Sequence, residues 1–238
     1  MIDKVHAVSR DYGLEISTRK TKVMVISEGR DHTFTCNGEE ALKQVESFRY
    51  LGAIVTSTGD CTIEIRSRRG IARLALTSMN NLWKDRALNK ETKVRLMRAL
   101  VWPVATYGCE SWTLKASDKK RIAGSEMTAY RRMLRISWKD HRTNQSILEL
   151  DTNARLLNDI QRRKLRYFGH VVRADSLCTS ILHSCIAGTR KHGRPRRRWM
   201  DDIKDWTVLL VAECVRTAQD RTAWYAKVLL ALAFDPQE

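Results

Sequence analysis

Apolar runs are short throughout this 238-residue sequence, and none approaches the roughly 18 residues of a membrane span. Residues 1–6 also lack the apolar core of a signal peptide. The expectation is an intracellular protein with no membrane partner. Six cysteines, at positions 36, 61, 109, 178, 185 and 214, are widely scattered and form no C-x-x-C pair. That spacing excludes the dense disulfide framework of small secreted domains and predicts reduced, mostly buried thiols. There is no glycine-rich phosphate loop, no motif tying a Ser, a His and an acid together, no internal repeat and no low-complexity tract. Acidic residues are also scarce, 27 Asp plus Glu against 43 Lys plus Arg, for a net charge of +16.

That charge predicts attraction to polyanions, with a solvated basic surface as the competing reading. A hydrophobic content of 43% suffices for a real core. Ile2, Val5 and Val8 fall three apart and predict a short helix ending near Gly13. Residues 22–27 read as a strand, 33–45 as a hairpin around Asn37-Gly38, and 48–56 as a third extended segment. After Gly59 the period turns helical, with Ile63, Ile71, Leu74, Met79 and Leu82 marking one long amphipathic helix. A second helix over 90–106 is broken by Pro103, and a third over 117–136 starts near Asp118. A fourth, capped by Asp151 or Asn153, runs through Ile160, Leu165 and Phe168 to Val172. Two more, near 199–215 and 220–234, close the chain. The expected fold class is α+β, mostly α: a small antiparallel sheet, then a helical bundle.

Two-metal nucleotidyl transfer needs converging carboxylates, and Asp201 and Asp202 are the only adjacent aspartates. Their surroundings read instead as the first turn of a helix, where acids suit the dipole. Cys178, His183, Cys185 and His192 lie close together but match no usual zinc spacing, so no metal site is expected. Arginine is the informative residue. Arg66, Arg68, Arg69 and Arg73 supply one helical face, and Arg131, Arg132 and Arg135 another, each fit for phosphate contacts or for plain solvation. Trp138, Tyr167 and Trp199 add aromatic neighbours on which bases can stack. The densest cluster spans 190–198, where Arg190, Lys191, Arg194, Arg196, Arg197 and Arg198 make six basic residues of nine. Gly193 and Pro195 keep it irregular, as a phosphate-binding loop or a nuclear import signal.

Segment 12–24 carries Gly13, Leu14, Ile16, Lys20, Thr21 and Met24, and Phe48, Tyr50, Leu51 and Gly52 follow about 28 residues after Lys20. This order resembles the end of the palm in reverse transcriptases of non-LTR (LINE-type) retrotransposons, with Ser17 where an Asn is usual. Residues 102–114 and 131–138 are similar to the thumb of these elements, and 163–173 and 193–199 to the region beyond it. The resemblance implies a palm remnant over 1–58, a thumb-like region over 59–150 and a basic helical region over 151–238. It implies that Lys20 acts as a general acid on the pyrophosphate leaving group, and that Phe48, Tyr50, Leu51 and Gly52 form a primer-grip-like hairpin.

In the family the catalytic aspartates precede this segment, and only about eleven residues do so here. The expectation is a transposable-element fragment that binds an RNA or DNA template-primer without polymerising. It needs no cofactor of its own, Mg2+ belonging to the intact RNA-directed DNA polymerase, and the parent element acts in the nucleus. The rivals are a domesticated basic module, which binds nucleic acid or a host protein, and a non-functional relic.

Overall fold

A computed structural model describes residues 2–26, 35–36, 40–149, 155–174, 176–183 and 196–233. The fold is α+β and mostly α, and the chain divides into two compact units, residues 1–64 and 65–238.

The first unit opens with α1 (Ile2–Asp11), which ends where Gly13 takes φ +68° and the Leu14 N–H turns back to the Ser9 carbonyl at 2.9 Å. Among the described residues three two-stranded sheets follow. β1 (Lys22–Val23) runs parallel to β4 (Lys43–Gln44), and β2 (Thr35–Cys36) pairs antiparallel with β3 (Glu40–Ala41). The strand expected over 22–27 is thus only two residues long, and its last expected position lies outside the described residues. The extended segment expected over 48–56 is instead a hairpin, β5 (Ser47–Tyr50) against β6 (Ala53–Thr56), with Tyr50 opposite Ala53. Leu51 and Gly52 both have positive φ, +47° and +84°, the conformation a two-residue turn requires. Beneath it the Ile54 N–H donates to Glu64 at 2.7 Å. Among the described residues of this unit only Leu42, Thr56 and Glu64 are buried.

The boundary falls within α2 (Thr62–Ser78), which Asp60 caps by accepting from the Thr62 N–H at 3.0 Å. A break at Met79 separates α3 (Asn80–Lys84), so the long helix expected here is two. Its apolar stripe is also different. Ile63, Ile71, Leu74 and Leu82 are exposed, while Ile65, Arg68, Ala72 and Leu76 are buried. Both sets have helical spacing, and arginine at position 68 masked the true inward face.

α4 (Lys90–Leu100) is capped by Asn89. Pro103 sits in the first turn of α5 (Trp102–Ala105), where its missing N–H costs nothing. A 3-10 turn (Cys109–Ser111) leads to α6 (Ala116–Leu134), and a second one (Trp138–Asp140) to α7 (Asn144–Leu148), which periodicity did not reveal. Asp151 and Asn153, the expected caps of the next helix, lie outside the described residues. α8 (Leu156–Arg173) is the core of the unit, burying Leu156, Ile160, Leu165, Phe168, Val171 and Val172 against α6, α10, α11 and α12. A Cβ at Gly169 would overlap the Trp224 ring, whose N–H donates to the Leu165 carbonyl at 2.9 Å.

The chain ends through α9 (Leu177–His183), α10 (Trp199–Thr207), α11 (Val211–Gln219) and α12 (Arg221–Ala233). Val208, at φ +54°, divides what reads as one helix over 199–215 into α10 and α11. Among the described residues no helix is long and apolar enough to cross a membrane.

Candidate nucleic-acid interface

On α2, Arg66, Arg69 and Arg73 fall three and four apart and share one face, with Arg66 and Arg73 exposed and Arg69 half-buried. The Arg69 Nε–H donates to the Ser125 hydroxyl of α6. Burial lowers the Arg69 pKa, and the charges of Arg121 and Arg66 lower it further. The guanidinium nevertheless keeps its charge, because arginine starts so far above neutral pH. Cations crowded in this way are relieved by an anion. Arg68, expected on the same face, points elsewhere: it is buried with its guanidinium 4.3 Å from the centroid of the Tyr107 ring.

The second cluster ends α6, where cations suit the helix dipole. Arg131 donates to the Arg142 carbonyl at 2.8 Å and to Asn144 Oδ1 at 3.1 Å, tying the following loop back to the helix. Arg132 is half-buried, and its Nε has no hydrogen-bond partner among the described residues. Arg135 closes the helix at φ +59° and is exposed. Trp138 follows at 78% exposure, too much for a core residue, so its ring is presented to solvent.

In the first unit Lys20 is exposed in a turn after Ser17, whose carbonyl accepts its N–H at 3.1 Å. Phe48 and Tyr50 lie two apart on β5 and therefore on one side of the hairpin, both exposed. Leu51 stands at its tip, 76% exposed, in a backbone conformation that costs a bulky residue strain.

The basic run divides. Arg190, Lys191 and Arg194 lie outside the described residues, as do Cys185 and His192. Arg196 and Arg198 are exposed. Arg197 is occupied, holding Asp202 at 2.6 Å and Asp205 at 2.5 Å. Burial works against its charge, but the hydrogen bonds to Asp205 and Asp202 outweigh that and raise its pKa. It is a structural clamp, tied to Asp202 and Asp205 where the sequence reading expected a phosphate contact.

Asp201 and Asp202 do occupy the first turn of α10. Asp201 accepts the Arg198 N–H at 2.7 Å, closing the helix start. Asp202 is fully buried, 2.5 Å from Lys164 Nζ of α8, and it also accepts the Leu114 N–H at 3.0 Å. Lys164 donates in turn to the Trp112 carbonyl at 2.6 Å and lies 4.7 Å from the Trp199 ring centroid. Lys164 was missed in the sequence. Its signal is a charge four residues from both Ile160 and Phe168, inside the apolar stripe of α8. Among the described residues no three His, Cys, Asp or Glu side chains gather to hold a metal.

No protein-family model matches the sequence, and no solved structure matches the fold. Over 244 aligned residues the chain is 26% identical to a transposon-derived protein of Caenorhabditis elegans. The alignment takes in 96% of this chain and 87% of that protein, so the likeness reaches both units and points to an origin in a transposable element.

Proposed function

We propose that this chain is a nucleic-acid-binding part of a non-LTR retrotransposon reverse transcriptase, one that grips template-primer duplex without carrying out polymerisation. The observation that carries the proposal is the array of Arg66, Arg69 and Arg73 on one face of α2, beside Arg121, with burial and mutual repulsion holding the Arg69 pKa down. Such an array is satisfied by a row of phosphates and reads no base sequence. Arg135, Arg196 and Arg198 are further exposed contacts, and Phe48 and Tyr50 offer rings to a strand end. Lys20 has a role only where metal-binding carboxylates are supplied, because Asp201 and Asp202 are committed to the helical core and its cap. Mg2+ would be held by that intact site, and the nucleus is where such an element meets its target DNA.

The test is duplex binding across a salt series. Affinity falls steeply with salt, and Arg66→Gln and Arg73→Gln each reduce the slope of log K against log salt by about 1. Binding indifferent to salt overturns the grip. Extension of a primed RNA template by the purified chain with magnesium overturns the assignment as non-polymerising.

A further inference from the structure

Apolar side chains lie on both sides of α12. Its inner side is fixed to the core: the Trp224 N–H donates to the Leu165 carbonyl of α8 at 2.9 Å, the Trp224 and Phe168 ring centroids lie 5.2 Å apart, and Val228 and Ala231 are buried. Asp220 caps the start of the helix by accepting from the Thr222 and Ala223 N–H groups, at 2.8 and 3.2 Å. On the outer side Tyr225, Leu229 and Leu230 are each half or more exposed, and Thr222, Ala226 and Ala233 are exposed with them. At 3.6 residues per turn these positions share an arc of roughly 140° opposite the buried one. In a chain that is 29% charged, residues 222–233 hold a single charge, Lys227, which is half-buried and falls outside the arc. A helix apolar all round is a buried helix, and α12 has one side covered.

Three observations name what covers the other. The first is charge. Every copy of this chain carries +16, so two copies repel over most of their surfaces and meet at least cost where the surface carries none. The second is register. The exposed positions form two rows at i, i+4 spacing, 222–226–230 and 225–229–233, and the rows exchange when the helix is turned end for end about the midpoint between 227 and 228. Position 222 then takes the place of 233, 225 that of 230, and 226 that of 229, which is the self-complementarity that a two-fold interface requires. The third is area. Packing this stripe on itself buries on the order of 1,000 Å2 in total, the threshold of a specific interface, so the association is weak and concentration-dependent. We propose that α12 is a dimerisation helix, pairing antiparallel across a two-fold axis with α12 of a second copy. Tyr225 of each copy lies on Leu230 of the other, and the small Ala226 receives Leu229.

This dimer does not depend on the nucleic-acid grip, and salt separates the two. Sedimentation equilibrium of the full chain, freed of nucleic acid by nuclease, is run from about 1 to about 100 μM at low and high salt. The mass rises with concentration from one chain to a plateau at two. Association tightens with salt, because screening weakens the repulsion between copies, whereas nucleic-acid binding weakens. Tyr225→Glu and Leu230→Arg, both at exposed positions, each weaken association by about tenfold or more with the melting midpoint unchanged, since each sets a charge against an apolar side chain. Mixing the two variants in equal amounts restores a dimer, in which the introduced carboxylate faces the introduced guanidinium. A chain that stays monomeric throughout overturns the proposal, and so does a mass that grows past two, the mark of unspecific clustering. Variants that associate as wild type does, or a mixture that stays monomeric, overturn the antiparallel pairing of α12.

Discussion

Asp201 shows how one side chain sets a local pH dependence. Burial raises its pKa, but the Arg198 N–H, the hydrogen bond and charge of Lys204 and the charge of Arg197 lower it by more, so the folded value lies below the unfolded one. The stabilisation is then complete above the unfolded value of about 3.9 and is lost as pH falls through the folded value. Asp201→Asn should cost about 1 kcal/mol near neutral pH, as loss of a cap does. In urea unfolding at a series of pH values, its gap from wild type should close in acid. A gap that persists at low pH would show that something other than the ionised cap is lost. At the same scale, Cys109 is the buried thiol its type leads one to expect, with burial pushing its pKa up to about 12. Arg68 and Arg197 were less legible, because an arginine on a ring or a carboxylate has the same letter as one facing solvent.

Elements met across the core raise a different question: what a buried charge does there. Lys164 on α8 and Asp202 on α10 are both fully buried and 2.5 Å apart, with Arg197 and the Leu114 N–H completing the carboxylate's partners. Asp202→Ala strands the Lys164 ammonium away from water and should cost about 3–5 kcal/mol in urea unfolding. Lys164→Met together with Asp202→Leu should recover most of that loss, since desolvation of both charges disappears with them. A double variant as unstable as the single one would show that shape, not charge, governs this contact. Helix positions were largely legible, because period is local, as the start of α4 at Lys90 illustrates. The division of α10 from α11 was not, since Val208 carries no breaker signal, yet it is 80% exposed in the left-handed conformation that ends α10, its N–H donating to the Lys204 carbonyl.

For the molecule as a whole, the unequal depth of the two cores predicts unequal stability. Leu42, Thr56 and Glu64 are the buried positions among the described residues of 1–64, whereas α8 alone buries nine. Native-state hydrogen exchange should therefore find amides of β1 to β6 opening at free energies well below the global value, and those around Leu165 and Phe168 only through global unfolding. Uniform protection across both units would contradict this.

The sequence alone determined the mostly helical α+β class, the places of most elements and the excess of positive charge. These follow from composition, period and local caps, which neighbours in the chain settle among themselves. Tertiary structure alone decided which arginines stay available. It placed Arg68 on Tyr107 and Arg197 on two aspartates, left Arg66 and Arg73 exposed on one face of α2, and closed Lys164 onto Asp202. The reason is physical: the fate of a charge depends on what lies within a few ångströms of it, and residues 38 positions apart meet only once the helices pack.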